Sequence, residues 1–410
     1  DNIAIGHGAM SENTAGGTKN IAIGVYAADA LTSGDDNTGL GYAALGALNT
    51  GSANVAIGNN ALDAHTSGNY NTAVGYGALT TNTTADKNTA VGANALQANS
   101  TGTRNTAIGN TALYANLAND NLGIGDQAGY SITTGTRNIA IGINAYDDSD
   151  TESDNLAIGY NAMTTNTAGG TGNTAIGNYA LDELTSGDHN VSVGLLSGNS
   201  MTEGVSNVLL GNGCGANITT GDENIMIGRN VGSNNVNLTT GHRNVIIGAY
   251  ADVSAAGSDN QIAIGYDVSC SGNSNFTFGN GGTDSNIAFG ATSISAPSDI
   301  RLKQNINDDV AGLSFINDLR PVTYEWKKEK DIPEDMQAHV ADSEKTFNND
   351  FVNHGFIAQE VKEVIDNHSE IKDGFKMWVE DEIDGRQRIA DGALVPMLVK
   401  AIQELSAEVE

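Results

Sequence analysis

A short motif that returns every 17 residues constrains the first 297 residues of this chain more than any other feature. The motif reads Asn-x-Ala-Ile/Val-Gly, and consecutive copies close at Gly41, Gly58, Gly75, Gly92 and Gly109, each 17 residues after the last. A Thr/Ser-Gly pair ends three residues before the Asn, and an Ala-Leu pair follows the motif. Such fixed spacing is typical of a solenoid, because a unit this small cannot bury its apolar side alone and has to stack on its neighbours.

One copy of the motif, residues 138–142, shows how a unit is expected to fold. Ile139 and Ile141 alternate, so both side chains point to one face of a short strand, the apolar side that stacking would bury. The Thr-Gly-x-x-Asn segment supplies a turn. Each strand is expected to pair with its equivalent one repeat on, with a shorter step near the end, at Gly265, Gly279 and Gly290. The prediction for residues 1–297 is a mainly β, parallel solenoid or roll.

The composition of this segment argues against several classes of function. The chain has a formal net charge of −30, which repels nucleic-acid phosphates, and no apolar run approaches the ~20 residues of a membrane span. The histidines His7, His65, His189 and His242 are scattered, so surface positions and no metal site are expected. Cys214 and Cys270 are expected to be buried free thiols. No cofactor is predicted.

The repeat resembles the head repeats of trimeric autotransporter adhesins, which carry a similar Asn-Ser/Thr-x-Ala-Ile-Gly motif. That resemblance covers roughly residues 1–290 and implies a left-handed parallel β-roll within a trimer. The main period is longer here than the usual adhesin step, and only the interval from Gly265 to Gly279 shows the shorter one. The outward loops are expected either to bind a cell-surface ligand or to serve only as a spacer.

The pattern changes at Ser298 to mixed α and β, which predicts a second, small α+β domain over residues 298–410. Its predicted elements are a helix at 308–319, a strand at 322–326, a helix at 355–365, a hairpin of 377–383 with 386–390 around Asp384-Gly385, and a final helix at 393–410. Apolar residues of the final helix are spaced by three and four, the seam of a short coiled coil that would meet its copies in an oligomer: Val395, Leu398, Ile402, Leu405 and Val409.

Three motifs of this segment resemble the intramolecular chaperone auto-processing domain that ends phage tail fibres, tail spikes and endosialidases. They are Ser-Asp-Ile-Arg-Leu-Lys at 298–303, His-Gly-Phe-Ile-Ala-Gln-Glu-Val at 354–361, and Leu-Val-Pro-Met-Leu-Val-Lys-Ala-Ile-Gln-Glu-Leu at 394–405. The resemblance implies that this domain trimerises, sets the register of three fibre chains and then cuts itself off.

Carried onto this chain, the resemblance makes Ser298 the nucleophile, Lys303 the general base and Pro297–Ser298 the bond that is cut. A serine hydroxyl needs a base to take its proton, and a lysine serves only if desolvation lowers its pKa. His354, Gly355, Gln359 and Glu360 belong to a supporting motif, in which Glu360 either assists or acts as a structural cap. The alternative for Ser298 is a helix start, with Lys303 as surface charge.

The resulting hypothesis is a homotrimeric phage tail fibre, made in the host cytoplasm and acting as part of the virion at the host surface. Its expected partners are a host cell-surface receptor, of glycan or protein, and other virion tail proteins. The alternatives are a bacterial trimeric surface adhesin that carries the same chaperone, a fibre that does not cleave itself, and an enzyme acting on host glycans. The last needs a carboxylate-bearing cleft that the regular repeat does not offer.

Overall fold

The computed structural model describes residues 1–165, 169–291, 294–295, 298–336, 338–369, 371, 377–380 and 385–409. The chain divides into two compact units, Asp1–Pro297 and Ser298–Glu410. The first unit is a parallel β-solenoid and the second is a small domain with three α-helices, so the mainly β fold predicted from the repeat is confirmed.

Fifteen strands of three residues each form the regular part of the solenoid. In chain order, β1 to β15 are Ile3–Ile5, Ile21–Ile23, Thr38–Leu40, Val55–Ile57, Thr72–Val74, Thr89–Val91, Thr106–Ile108, Leu122–Ile124, Ile139–Ile141, Leu156–Ile158, Thr174–Ile176, Val191–Val193, Val208–Leu210, Ile225–Ile227 and Val245–Ile247. Each pairs in parallel with the next in a register that matches equivalent motif positions, for example Ala73 with Ala90 between β5 and β6. The 17-residue period is therefore one turn of the solenoid.

In β2 to β15, the buried residue of each strand is the middle one, which differs from the expectation that the isoleucines would be buried. In β9, Ala140 is fully buried, whereas Ile139 is 37% exposed. The solenoid is thin, and in many turns its interior holds an alanine from the strand and the Ala-Leu pair from the following turn, such as the fully buried Ala95 and Leu96. The alternating Ile and Val side chains point outward from the single chain.

The motif asparagine is buried because it bonds the turns of the solenoid together. The Asn138 amide nitrogen Nδ2 donates to the Glu152 carbonyl of the next turn at 2.7 Å, and its Oδ1 accepts from the Asn155 backbone N–H at 3.0 Å. The same pattern joins Asn37 to Asn54 and to the carbonyl of Gly51. The accepting carbonyl belongs to the residue three before the next motif Asn, a position that is most often glycine, so the two positions keep the same phase along the chain.

The closing glycine of the motif is required by both conformation and space. Gly92 has φ +140°, and a Cβ placed there would lie 2.1 Å from the carbonyl oxygen of Gly109 in the next turn. His65 corrects the expectation of surface histidines, since it is fully buried at a corner where leucine occurs in other turns, with Nε2 2.8 Å from the Gly68 carbonyl. Cys214 and Cys270 are free and buried, as predicted.

The solenoid ends in a reversal of chain direction. Strand β16 (Gln261–Tyr266) pairs in parallel with β17 (Asn275–Asn280), and β17 then pairs in antiparallel fashion with β18 (Thr283–Ala288). The prediction that Gly290 closes a further step of the repeat is therefore wrong, because the strand before it runs the other way.

The second unit contains short elements around a small apolar core. Its elements are α1 (Leu313–Asp318), β19 (Val322–Tyr324), β20 (Asn353–Gly355), α2 (Ala358–Asn367), β21 (Trp378–Glu380), β22 (Gln387–Ile389) and α3 (Val395–Val409), with 3-10 turns at Ile300–Leu302, Glu329–Asp331 and Asp391–Leu394. Strands β19 and β20 pair in antiparallel fashion, as do β21 and β22. The core gathers Phe315, Val361, Ile365 and Met397.

The predicted elements of this unit occur with shorter bounds. Helix α1 begins at Leu313 rather than near residue 308, where the apolar spacing alone placed it. Helix α2 begins at Ala358, because the preceding residues 353–355 form β20. The predicted hairpin is β21 with β22, but Asp384 of its turn lies outside the described residues. Among the helices of the described ranges, none is long and apolar enough to cross a membrane.

Candidate functional site

The structure brings Ser298 and Lys303 together at the start of the second unit. The Lys303 ammonium Nζ donates a hydrogen bond to the Ser298 hydroxyl Oγ at 2.7 Å. The 3-10 turn Ile300–Leu302 lies between them and reverses the chain, with the Lys303 backbone N–H donating to the Ile300 carbonyl at 3.1 Å. The predicted nucleophile and base are thus within the reach that proton transfer needs. Pro297, the other half of the predicted cleavage bond, lies outside the described residues.

Asp299 holds the turn between the two residues. Its carboxylate accepts a hydrogen bond from the Arg301 backbone N–H at 2.8 Å, as a helix-capping residue does, and also pairs with the Arg301 guanidinium at 2.6 Å. Hydrogen bonds from Arg301 lower the pKa of the Asp299 carboxyl. Sequence reasoning treated this Asp only as part of a motif, although a Ser-Asp pair before a turn is a recognisable capping signal.

The dyad is open to solvent in the single chain. Ser298 and Lys303 are both exposed, and the turn between them presents Ile300 and Leu302, whose exposed fractions are 72% and 69%. A lysine in water stays protonated and cannot accept a proton from serine. The arrangement therefore has the geometry of a Ser/Lys dyad but needs a covering surface before it can act as one.

The supporting motif lies on a separate strand and helix. His354 and Gly355 belong to β20, opposite Thr323 and Val322 of β19, and Gln359 lies in the first turn of α2. His354, Gly355 and Gln359 border a surface cavity of about 440 Å³. Among the described residues, no hydrogen bond or ion pair joins these side chains to Ser298 or Lys303.

Glu360 has a structural partner that the sequence did not suggest. Its carboxylate forms a two-point ion pair with the Arg320 guanidinium, with one contact at 2.9 Å. This hydrogen bonding lowers the pKa of Glu360. Forty residues separate the two, so no local pattern could reveal the pair. In the single chain, Glu360 ties α2 to the segment that follows α1 rather than serving the dyad.

The third motif positions α1 through Glu404. The Glu404 carboxylate accepts a hydrogen bond from the Leu313 backbone N–H at 2.7 Å, which satisfies one of the free N–H groups at the start of α1. Gly312 leaves room for this contact, since a Cβ there would lie 2.2 Å from the carboxylate. The hydrogen bond from Leu313 lowers the pKa of Glu404.

The apolar seam predicted for α3 is unoccupied in the single chain. A neighbouring side of the helix is buried through Met397 and Ala401. All five seam residues are exposed, at fractions between 42% and 82%: Val395, Leu398, Ile402, Leu405 and Val409. The helix is therefore anchored to its own unit on one side and presents an apolar side on the other.

Comparison with known proteins bears on this second unit. Residues 298–370 match the family model described as chaperone of endosialidase. The match begins at Ser298, covers less than a fifth of the chain, and ends before the third motif. This family is one of self-cleaving intramolecular chaperones, so autoproteolysis is consistent with the match. Together with the solenoid, the match supports a fibre-type protein with a C-terminal chaperone domain.

Comparison with curated proteins and with solved structures gives no significant match. Within the described residues there is no group of three or more His, Cys, Asp or Glu side chains suited to a metal ion.

Proposed function

We propose that this chain is a homotrimeric tail fibre whose residues 298–410 assemble three chains and then cut the Pro297–Ser298 bond. The observation that carries the proposal is the 2.7 Å hydrogen bond from Lys303 to Ser298, at the residue where the family match begins. A side chain of that type, at that distance from a hydroxyl adjacent to a peptide carbonyl, is the arrangement an internal serine nucleophile needs.

The proposed reaction uses the residues of this chain and one water molecule. Neutral Lys303 takes the proton of Ser298 Oγ, and Oγ attacks the carbonyl carbon of Pro297. The C–N bond breaks as the C–O bond forms, and the Ser298 nitrogen leaves with a proton from Lys303. Water then hydrolyses the ester, which leaves a carboxylate on Pro297 and a free amine and hydroxyl on Ser298.

In this proposal, association of copies provides the covering surface that the Ser298–Lys303 dyad lacks in the single chain. Covering the exposed Ile300 and Leu302 with a neighbouring chain would remove water from Lys303, and desolvation lowers the pKa of a lysine. The exposed seam of α3 supports association through the same unit. The cut would then follow assembly, because the dyad is solvated in an unassembled chain.

The proposed setting is the virion. In it, the solenoid serves as the rod that reaches or binds a host cell-surface receptor, and its upstream end connects with other tail proteins. The chain is made in the host cytoplasm and acts outside, at the host surface. The support is the combination of a long, regular, acidic solenoid with a chaperone-of-endosialidase match.

The test of self-cleavage is the mass of the products of the full chain. The unmodified chain should yield a 297-residue rod and a 113-residue fragment whose first residue is Ser298. Ser298→Ala and Lys303→Arg should remain whole, since arginine cannot act as a base, whereas Lys327→Arg at another exposed position should cut normally. A Ser298→Ala chain that still yields the fragment would exclude this serine as nucleophile.

Association is measured separately, by light scattering of the uncut Ser298→Ala chain. The expected mass is three times that of one chain. Replacing Leu398 and Ile402 in the seam with Asp should weaken association, so that a higher chain concentration is needed to reach that mass. A monomeric Ser298→Ala chain would exclude the trimer.

A further inference from the structure

The outward face of the solenoid strands is an uninterrupted apolar stripe. We define the strand-face stripe as the first and third residues of β1 to β15. The third residue is Ile, Val or Leu in all fifteen strands, and the first is Ile, Val, Leu or Thr. No residue of the stripe is buried in the single chain, and Ile57, Ile108 and Ile225 are between 37% and 40% exposed. In a sheet with one face in water, the solvent-facing strand positions are ordinarily polar. This apolar face is therefore unlike the surface of a rod that consists of a single chain.

The size of the stripe is that of an interface. Fifteen strands at ~4.8 Å spacing extend about 67 Å, and three residues of strand are about 10 Å wide, which gives roughly 700 Å² in projection. The largest apolar patch on a typical monomer is about 300–600 Å², whereas a stable interface buries about 800 Å² on each partner. The stripe is therefore larger than the apolar patch of a typical monomer and close to the area that each partner of a stable interface buries.

The few basic residues of the solenoid all lie beside this stripe, and their placement indicates which partner it binds. Residues 1–297 contain six Lys and Arg and 24 Asp and Glu. All six basic residues lie in two border rows, defined as the positions two residues before and two residues after each strand of the stripe: Lys19, Lys87, Arg104, Arg137, Arg229 and Arg243. The border rows also contain six carboxylates, so they are neutral, and the remaining 18 carboxylates lie elsewhere without a single Lys or Arg.

The stability of one chain does not account for this placement. The border-row pairs are close, with 2.6 Å between Arg104 and Asp120 and 2.6 Å between Arg137 and Asp154. These side chains are 40–59% exposed, and ion pairs at such exposure contribute little to stability. Their effect is to remove net negative charge beside the stripe, which matters when another strongly acidic surface approaches.

We infer that the strand-face stripe packs against the same stripe of further copies of this chain, parallel and in register. A second copy has the same apolar repeat at every turn, so its side chains meet this face with matching spacing along the whole rod. The stripe and its border rows carry no net charge, whereas the other 18 carboxylates of the solenoid are not balanced by any Lys or Arg, so copies of an acidic rod can approach closely on this side. This inference rests on the proposed association of copies and assigns it a surface in the rod.

The test uses paired substitutions at matched exposure in the full chain. Ile108 and Ile124 are adjacent in register on the stripe, and Leu117 lies in a turn outside the stripe and border rows. Ile108 is 40% exposed and Leu117 is 42% exposed. Replacement with aspartate therefore removes a similar exposed fraction of an apolar side chain at each position in the single chain. Ile108→Asp/Ile124→Asp is compared with Leu117→Asp by sedimentation equilibrium of the rod, after the C-terminal fragment has been removed.

The expected result is an associated rod for the unmodified chain and for Leu117→Asp. The double aspartate variant should associate at least about 100-fold more weakly, because each association buries unpaired carboxylates. Ile108→Thr/Ile124→Thr serves as the variant that keeps the fold, since threonine occupies the other outward position, the first residue, in several strands, and it should weaken association about tenfold. Far-UV circular dichroism verifies that each variant is folded.

Two outcomes would overturn the inference: a monomeric unmodified rod, or a folded double aspartate rod that associates as tightly as Leu117→Asp. A failure of the proposed self-cleavage gives a different observation, which is an uncut chain. If the chain is not cut, the same comparison is made on the whole chain carrying the two α3 seam aspartates, where only the stripe remains to hold copies together.

Discussion

The buried asparagine of the repeat offers the sharpest test of how the solenoid is held together. Replacing Asn138 with Ala removes the donor to the Glu152 carbonyl and the acceptor of the Asn155 N–H, while the Asn138 backbone still donates to Asn121. Asn138 is fully buried, so water cannot replace either bond. A buried polar group left without its partner costs about 1–3 kcal/mol, and two such groups give an expected loss of about 2–6 kcal/mol.

The assay is urea unfolding of the full chain, followed by far-UV circular dichroism. Midpoints are compared rather than extrapolated free energies, because repeat proteins depart from two-state unfolding. Asn138→Ala should lower the midpoint of the solenoid transition by on the order of 1 M. The control is Asn212→Ala, at an exposed position of the same unit. Equal midpoints for the two variants would refute the claim that the ladder of buried asparagines stabilises the stack.

Three further predictions concern the second unit and an acidic turn. Asp299→Ala should slow self-cleavage, because the 3-10 turn loses its cap, while Asp299→Asn keeps an acceptor and should cut faster than the alanine variant, as measured by fragment release over time. Glu404→Ala should lower the thermal midpoint of the second unit by freeing a backbone N–H of α1, with exposed Glu408→Ala as the control in thermal unfolding. Burial raises the pKa of Asp147 to about 6, so folding favours its protonated form. The stability it contributes is present below about pH 4 and is lost as the pH rises through about 6, and Asp147→Asn should therefore raise the urea midpoint at pH 7.5 but not at pH 3.5.

The period of the repeat predicted the solenoid well, because strand, turn and glycine recur in one fixed phase. It did not predict which side of the strand faces inward. Alternation places Ile139 and Ile141 on one face and Ala140 on the other, and hydrophobicity favours burying the isoleucines. The deciding quantity is the width of the interior, which accepts an alanine when the leucine of the next turn fills the rest. That width is a property of the closed turn and not of the strand.

Contacts between distant residues account for most of what the sequence left unseen in the second unit. The pairing of Glu360 with Arg320 spans 40 residues, and that of Glu404 with Leu313 spans 91. Neither leaves a local pattern, whereas Ser298 and Lys303 are only five residues apart and one turn suffices to join them. Their roles as nucleophile and base stay predictions until cleavage is measured.

The end of the solenoid explains how the proposed cut and a lasting rod are compatible. The last parallel strand, β17, does not expose an open edge, because β18 folds back and pairs with all six of its residues. Asn286 of β18 is in turn bridged to Ser295, at 2.7 and 2.8 Å between backbone nitrogen and oxygen atoms. All of these partners precede residue 297, so loss of residues 298–410 removes none of the hydrogen bonds that close the rod. An exposed parallel edge would instead invite pairing with other chains. A chaperone that is discarded is useful only if the rod it leaves behind is already closed, and the antiparallel hairpin provides that closure upstream of the bond.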